Sequence, residues 1–204
     1  MLPPNRLYLA SRSPRRRELL HQIGVAFETL LFRAGARADA EVDETPLAGE
    51  DPLAYVERVA RAKATYGRQL LGPRHLPALP VLSADTTLEL DGAIIGKPEN
   101  AADAMRILAG LAGRRHRVLT AVALATTGGI DSIVSRSEVS FRELSEAEIR
   151  RYVATGEPLD KAGAYGIQGR AAMFVERLAG SYSGVMGLPL CETARLLTQA
   201  GFTL

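Results

Sequence analysis

The chain has 204 residues, 47% apolar and 24% charged, which is enough for a real hydrophobic core in one domain or two tightly joined lobes. A formal net charge of +2 is too small to argue for nucleic-acid binding by itself. The single cysteine, Cys191, excludes an intrachain disulfide and points to a reducing compartment; among the apolar neighbours of Leu188-Pro189-Leu190-Cys191 it reads as a buried, inert thiol.

Residues Met1 to Ala10 hold no apolar run long enough for a signal peptide, and no uninterrupted apolar stretch reaches the about 18 residues of a membrane span. A soluble, cytoplasmic protein is expected. Arg6 to Ala10 reads as a short buried strand. It feeds Ser11-Arg12-Ser13-Pro14 and a helix from Arg15 to Ile23, with Ser13 as N-cap, Pro14 at the first helical position and Gly24 as the stop. Val25 to Phe32 is a second predicted strand. Arg33 to Glu50 is polar and irregular, a long loop of the kind that often carries function. Asp51-Pro52 repeats the cap-then-proline signal and opens a helix to about Leu70.

Val81 to Leu90 is predicted as a strand, with Asp91-Gly92 as a hairpin turn into Ala93 to Ile95. Asn100 caps a helix over Ala101 to Leu111. Arg117 to Thr126 and Ile130 to Phe141 form two strands joined by Thr127-Gly128-Gly129. Ser145 and Glu148 make a capping box for a helix to Val153. A short strand at Ala171 to Glu176 and a helix from Pro189 to Ala200 follow. Strands and helices mixed without strict βαβ alternation predict an α/β (mixed α+β) fold around a curved mixed sheet, with residues 1–204 as one domain of two lobes.

Several chemistries are absent. Gly92-Ala93-Ile94-Ile95-Gly96-Lys97-Pro98 is one residue short of a P-loop, and Pro98 stands where a magnesium-binding hydroxyl would be. There is no zincin motif, and His21, His75 and His116 are scattered. The segment Ser11-Arg12-Ser13-Pro14-Arg15-Arg16 is more informative. A strand end, a hydroxyl-rich turn and a helix start offer free N–H groups to an anion, and the arginines can add bidentate phosphate contacts. The alternative is a capped helix with a solvated basic face, and Arg114, Arg115 and Arg117 read as such a solvated run.

Lys63 continues the helical stripe of Val56, Val59 and Ala60, so its ammonium must either reach solvent or meet a buried anion. Asp85 sits mid-strand, where aspartate is a poor former, on the same face as Ser83, Thr87 and Glu89. That face is either solvated or the wall of a cleft. Glu44, in Glu41-Val42-Asp43-Glu44-Thr45-Pro46, is a hard oxygen ligand or one of a set of solvated acids. The glycine-dense segments Asp160 to Gly169 and Gly180 to Pro189 either approach a ligand closely or are plain turns.

Together these segments closely resemble the Maf family of nucleoside triphosphate pyrophosphatases. The resemblance is carried by Leu9-Ala10-Ser11-Arg12-Ser13-Pro14-Arg15-Arg16, Asp43-Glu44-Thr45-Pro46, Ala60-Arg61-Ala62-Lys63-Ala64, Ala84-Asp85-Thr86, Gly96-Lys97-Pro98, Asp160 to Gly169 and Gly187-Leu188-Pro189, in the family's order over nearly the whole chain. It implies a Maf/ITPase-like fold of two lobes around a central cleft. Asp85 would be the catalytic carboxylate, and with Glu44 would bind a divalent cation, Mg2+ or Mn2+. Lys63 and Lys97 would bind the triphosphate, and Ser11 and Arg16 would line its phosphate end. Arg15, Thr86 and Gln168 match positions tied to base selectivity, in the branch acting on dTTP and UTP rather than on 7-methyl-GTP. The main departure is Arg12, where members commonly carry glycine. The resemblance also implies a homodimer acting on a small nucleotide, while the small net charge and the lack of an apolar span leave neither nucleic acid nor membrane expected as a partner. The competing readings are a nucleotide-binding regulator of septum formation with little catalysis, and a nucleic-acid module built on the arginines.

Overall fold

The computed structural model describes residues 6–32 and 42–204. The first nine residues of the long loop predicted at Arg33 to Glu50 therefore lie outside the described residues. Among the described residues seven strands form one mixed sheet, ordered β2-β1-β3-β5-β6-β7, with β4 paired to β3. β1 (Arg6–Leu9) runs parallel to both β2 (Ala26–Thr29) and β3 (Val81–Leu90), while β5 (Arg115–Thr126), β6 (Gly129–Phe141) and β7 (Val175–Ala179) continue antiparallel. β4 (Ala93–Ile95) folds back on β3 through Asp91 and Gly92, both with positive φ, as a two-residue hairpin requires.

Helix boundaries follow local hydrogen bonds. α1 (Pro14–Gln22) starts where Ser13 Oγ accepts from Arg16 N, and α2 (Pro52–Gln69) where Asp51 Oδ1 accepts from Leu53 N and Ala54 N. Asn100 caps α3 (Ala101–Leu111), and α4 (Glu146–Val153) has the full capping box of Ser145 and Glu148. None of the helices among the described residues is long and apolar enough to cross a membrane.

The two faces of the central strands carry different cores. Leu119, Ala121, Ala123 and Ala125 of β5 meet Tyr55, Val56, Val59, Ala60 and Ala64 of α2 on one face. On the other face, Leu82, Ala84, Val122 and Leu124 pack against α1 and α6 (Leu190–Gln199) at one end of the strands. At the far end of that face, Leu88 and Val118 join a separate core with α3 and α4. Between these two cores the strands place Thr86 and Thr120, polar residues at the seam of two lobes.

Four expectations need correction. Cys191 is exposed: it shares a helix face with exposed Arg195, while Thr193, Leu196 and Leu197 form the buried stripe of α6. The strand expected at Ala171 to Glu176 begins later, because a 3-10 turn over Arg170–Phe174 buries Ala171 and Phe174 before β7 pairs with β6. The first part of the Gly180 segment is not an open loop but a short helix, α5 (Tyr182–Met186), capped by Ser181 and ended by Gly187 at φ 115. β5 starts two residues before Arg117, since Arg115 and His116 pair with Ser140 and Val139.

Candidate active site

A break in one edge of the sheet creates the site. β1 pairs with β3 only as far as Leu82, and β4 only from Leu88 onward. Residues 83–87 of β3 therefore have no strand partner on that edge among the described residues. Side chains alternate across a strand, so Asp85 faces α2 and Thr86 faces the opposite way. At an unpartnered edge both can look into one space. That space is a cleft of about 1450 Å³, lined by Ser11, Arg15, Arg16, Glu44, Lys63, Asp85, Thr86, Lys97 and Gln168. All nine residues singled out from the sequence are thus brought to one cavity.

The face holding Asp85 is not solvated. Ser83, Asp85, Thr87 and Glu89 are all buried, and Ser83 Oγ donates to Ala60 O of α2 at 2.6 Å. Lys63 does not reach out to solvent. Its Nζ lies 2.8 Å from Asp85 Oδ1 and 2.9 Å from Glu44 Oε2, with the side chain 14% exposed. One ammonium thus joins a carboxylate of the strand to one of the acidic loop.

The loop that carries Glu44 is fastened to α2. Arg58 donates to both carboxylate oxygens of Glu50, at 2.6 and 2.8 Å, and to the carbonyls of Thr45 and Asp43. Tyr55 Oη donates to Glu44 O at 2.9 Å; burial pushes the phenol up to about 12, so it stays a donor. Arg58 and Tyr55 were not singled out from sequence. Arg58 had no signal beyond its charge, because its partners lie in an irregular segment.

Arg16 lines the cleft yet is heavily engaged within the protein. Its Nε donates to Gly187 O at 2.8 Å, one terminal nitrogen to Ala84 O at 2.7 Å and the other to Thr86 Oγ1 at 3.2 Å. It satisfies an edge carbonyl of β3 and ties α1 to the segment after α5. Burial lowers its pKa, partly offset by Asp85, but a guanidinium remains charged at any working pH. Ser11 Oγ accepts from Ser13 N at 3.2 Å, shaping the turn before α1. Arg12 donates to Phe32 O at 2.7 Å and has no positive φ, so the turn accepts arginine without backbone strain.

The opposite wall comes from the second lobe. Gly163 N donates to Gly96 O at 2.9 Å, which joins the segment bearing Lys97 to the turns before Gln168. Glu157 organises those turns: Oε1 accepts from Tyr152 Oη, Oε2 from Arg170 N, and its carbonyl from Lys161 Nζ. Lys97 and Gln168 are exposed on this wall. By contrast Arg114, Arg115 and Arg117 pair outside the cleft with Asp91, Glu138 and Glu89, and stay exposed.

Among the described residues no group of three or more His, Cys, Asp or Glu is arranged as a complete metal cage. Glu44 and Asp85 do present two hard carboxylates around one cation, the ammonium of Lys63. Such a donor set fits a divalent ion that shares its coordination with phosphate oxygens and water.

The profile of the family described as Maf-like protein matches residues 6–200. A protein of Dechloromonas aromatica (strain RCB), named dTTP/UTP pyrophosphatase, is 64% identical over 197 residues, or 97% of this chain and 98% of that one. One of the same name from Aromatoleum aromaticum (strain DSM 19018 / LMG 30748 / EbN1) is 64% identical over 200 residues, covering 98% of this chain and 97% of its own. A third, from Ralstonia nicotianae (strain ATCC BAA-1114 / GMI1000), is 56% identical over 203 residues, covering 99% and 97%. Of solved structures, the Staphylococcus aureus Ham1 protein aligns over 69% of this chain and 72% of that chain, at 17% identity and a TM-score of 0.45. The profile match and these near-full-length relatives agree, and the chain belongs to the Maf family.

Proposed function

We propose that the protein hydrolyses dTTP and UTP to the monophosphate and pyrophosphate. The observation that carries this reading is the Lys63 ammonium between Asp85 and Glu44, inside a cleft that also holds Arg15, Arg16 and Lys97. Near-full-length relatives named dTTP/UTP pyrophosphatase support the choice of substrate.

A triphosphate brings about four negative charges, which the arginines and lysines of the cleft would neutralise. Asp85 Oδ1 is taken by Lys63, while Oδ2 carries no hydrogen bond among the described residues and is the oxygen left for a water. In the proposed step that water attacks the α-phosphorus and gives its proton to Asp85. The new P–O bond forms as the bond to the β-phosphate breaks, and pyrophosphate leaves with the bonding electrons. Lys63 and Lys97 hold the departing charge. Glu44 and Asp85 would also hold Mg2+ or Mn2+, which when bound adds Lewis-acid charge stabilisation at the phosphates. No covalent intermediate is required, in keeping with Cys191 lying on α6 outside the cleft lining.

We place the enzyme in the cytoplasm as a homodimer acting on free nucleotides, without nucleic acid or membrane as partner. The family resemblance supports the dimer, and the net charge of +2 argues against a nucleic-acid role. The test is a panel of nucleoside triphosphates, including 7-methyl-GTP, assayed for pyrophosphate with Mg2+ or Mn2+. dTTP and UTP should be the best substrates. Faster hydrolysis of 7-methyl-GTP overturns the substrate choice, and tight binding of dTTP without turnover overturns the enzyme.

A further inference from the structure

The floor of the cleft between the two lobes contains a chain of hydroxyls whose proton directions are fixed by their ends. Arg16 donates to Thr86 Oγ1 at 3.2 Å, and Thr86 Oγ1 lies 3.0 Å from Thr120 Oγ1. Thr120 Oγ1 in turn lies 2.8 Å from Gly184 O. Arginine can only donate, and a carbonyl oxygen can only accept. Two oxygens at 2.8 Å need a proton between them, and only Thr120 can supply it. A threonine hydroxyl has one proton, so the contact between Thr86 and Thr120 must use the proton of Thr86.

Thr86 is therefore left with no proton to offer. It accepts from Arg16, donates to Thr120, and keeps one lone pair for anything else in the cleft. Thr120, only 1% exposed, fixes that state without lining the cleft itself. The arrangement was invisible in the sequence, since Thr120 sits in an apolar strand 34 residues from Thr86 and 64 from Gly184.

The cleft has two chemically distinct ends. Lys63, Asp85 and Glu44 make the α2 side ionic. On the side of Thr86 the Arg16 guanidinium is already engaged by Gly187 O, Ala84 O and Thr86 itself, and the lining includes Leu88, Val118, Val185 and Met186. Triphosphate belongs at the first end and a flat, partly apolar base at the second. We propose that Thr120 is a specificity-determining positioning residue: it makes Thr86 an obligate acceptor, which selects bases that present an N–H donor, as uracil and thymine do at N3, over cytosine, whose N3 is an acceptor.

This inference rests on the proposed pyrophosphatase activity, and the experiment separates the two. Steady-state kcat/KM is measured for dTTP and dCTP with the parent enzyme, Thr120→Val and Thr120→Ser. Valine removes the acceptor, so the Thr86 hydroxyl can turn its proton toward cytosine N3. The dTTP to dCTP ratio should fall by about tenfold or more. Serine keeps the hydroxyl and should keep the ratio. A merely structural role would lower both substrates together and leave the ratio alone; a ratio within twofold of the parent in a folded Thr120→Val overturns the inference while the activity stands. If Thr120→Val does not fold, N3-methyl-dUTP decides with the parent enzyme: it should be hydrolysed at least about tenfold more slowly than dUTP, and equal rates overturn the inference. A parent that leaves dTTP and UTP intact overturns the activity, and the inference with it.

Discussion

Lys63 Nζ lies 2.8 Å from Asp85 Oδ1, so a lysine on the buried stripe of α2 finds its counter-charge on the middle strand of the sheet. The pair answers two questions about the sequence at once: why a lysine follows Val56, Val59 and Ala60, and why an aspartate interrupts β3. Each charge is tolerable because the other is there.

Asp85→Asn keeps the size and the bond from Lys63 but cannot take a proton from water. Turnover of dTTP should fall by about two to four orders of magnitude, with the thermal midpoint little changed because Lys63 keeps Glu44 as a counter-charge. Lys63→Met should differ in kind, because it leaves Asp85 buried and unpaired. It should cost activity and also about 3 kcal/mol of stability. Rates within threefold of the parent for Asp85→Asn would remove Asp85 from the mechanism.

Chelation should separate activity from folding. Glu44 and Asp85 are two carboxylates, too few to hold a divalent ion tightly without substrate phosphates. Excess EDTA should therefore stop pyrophosphate release while circular dichroism and the thermal midpoint stay as before. Full activity in EDTA would exclude the proposed ion.

A buried histidine should make the protein acid-sensitive. His116 Nε2 meets Tyr165 Oη at 2.8 Å, and its ring packs edge-on against Phe141 and Tyr165. Burial pushes its pKa down from 6.5 to about 4. Between those values the unfolded chain binds a proton that the folded protein excludes. Stability is thus complete above about pH 6.5 and falls as pH drops toward about 4, by an amount on the order of 3 kcal/mol. Urea midpoints at pH 7 and pH 5 should show this loss in the parent and much less of it in His116→Phe. Equal losses in both proteins would assign the acid sensitivity to other groups.

What was legible in the sequence depended on how far apart the partners lie. Ser13, Asp51, Asn100 and Ser145 close hydrogen bonds two or three residues away, so the starts of α1, α2, α3 and α4 could be read from short strings. Lys63 and Asp85 were readable as anomalies, a charge in an apolar stripe and a poor strand former in a strand. Arg58, Glu157 and Thr120 were not, because each is ordinary in its local pattern and gains its role from partners in other segments. Cys191 shows the converse error: apolar neighbours in sequence suggested burial, but on a helix the neighbours in space lie three and four residues away.

The final prediction concerns the joint between the lobes. Gly163 has φ 70, and a Cβ there would stand 2.1 Å from Leu88 Cδ2. Leu88 is itself buried in the core with α3 and α4, so it has little room to retreat. The next residue, Ala164, already holds a positive φ of 58. Gly163→Ala should add an overpacking cost to the left-handed backbone cost, about 2 to 4 kcal/mol in all. Gly24 provides the control, since at φ 71 it has nothing within 4 Å of the same atom. Gly24→Ala should cost only about 1 to 2 kcal/mol, the backbone part alone. The effects should also differ in function. Gly163 N donates to Gly96 O, beside Lys97, so shifting it should raise KM for dTTP where the variant is still folded, whereas Gly24→Ala should leave KM alone. Urea unfolding and steady-state kinetics on the two variants check both parts. If Gly163→Ala loses no more stability than Gly24→Ala, Leu88 yields to the added methyl and the joint is looser than its packing indicates.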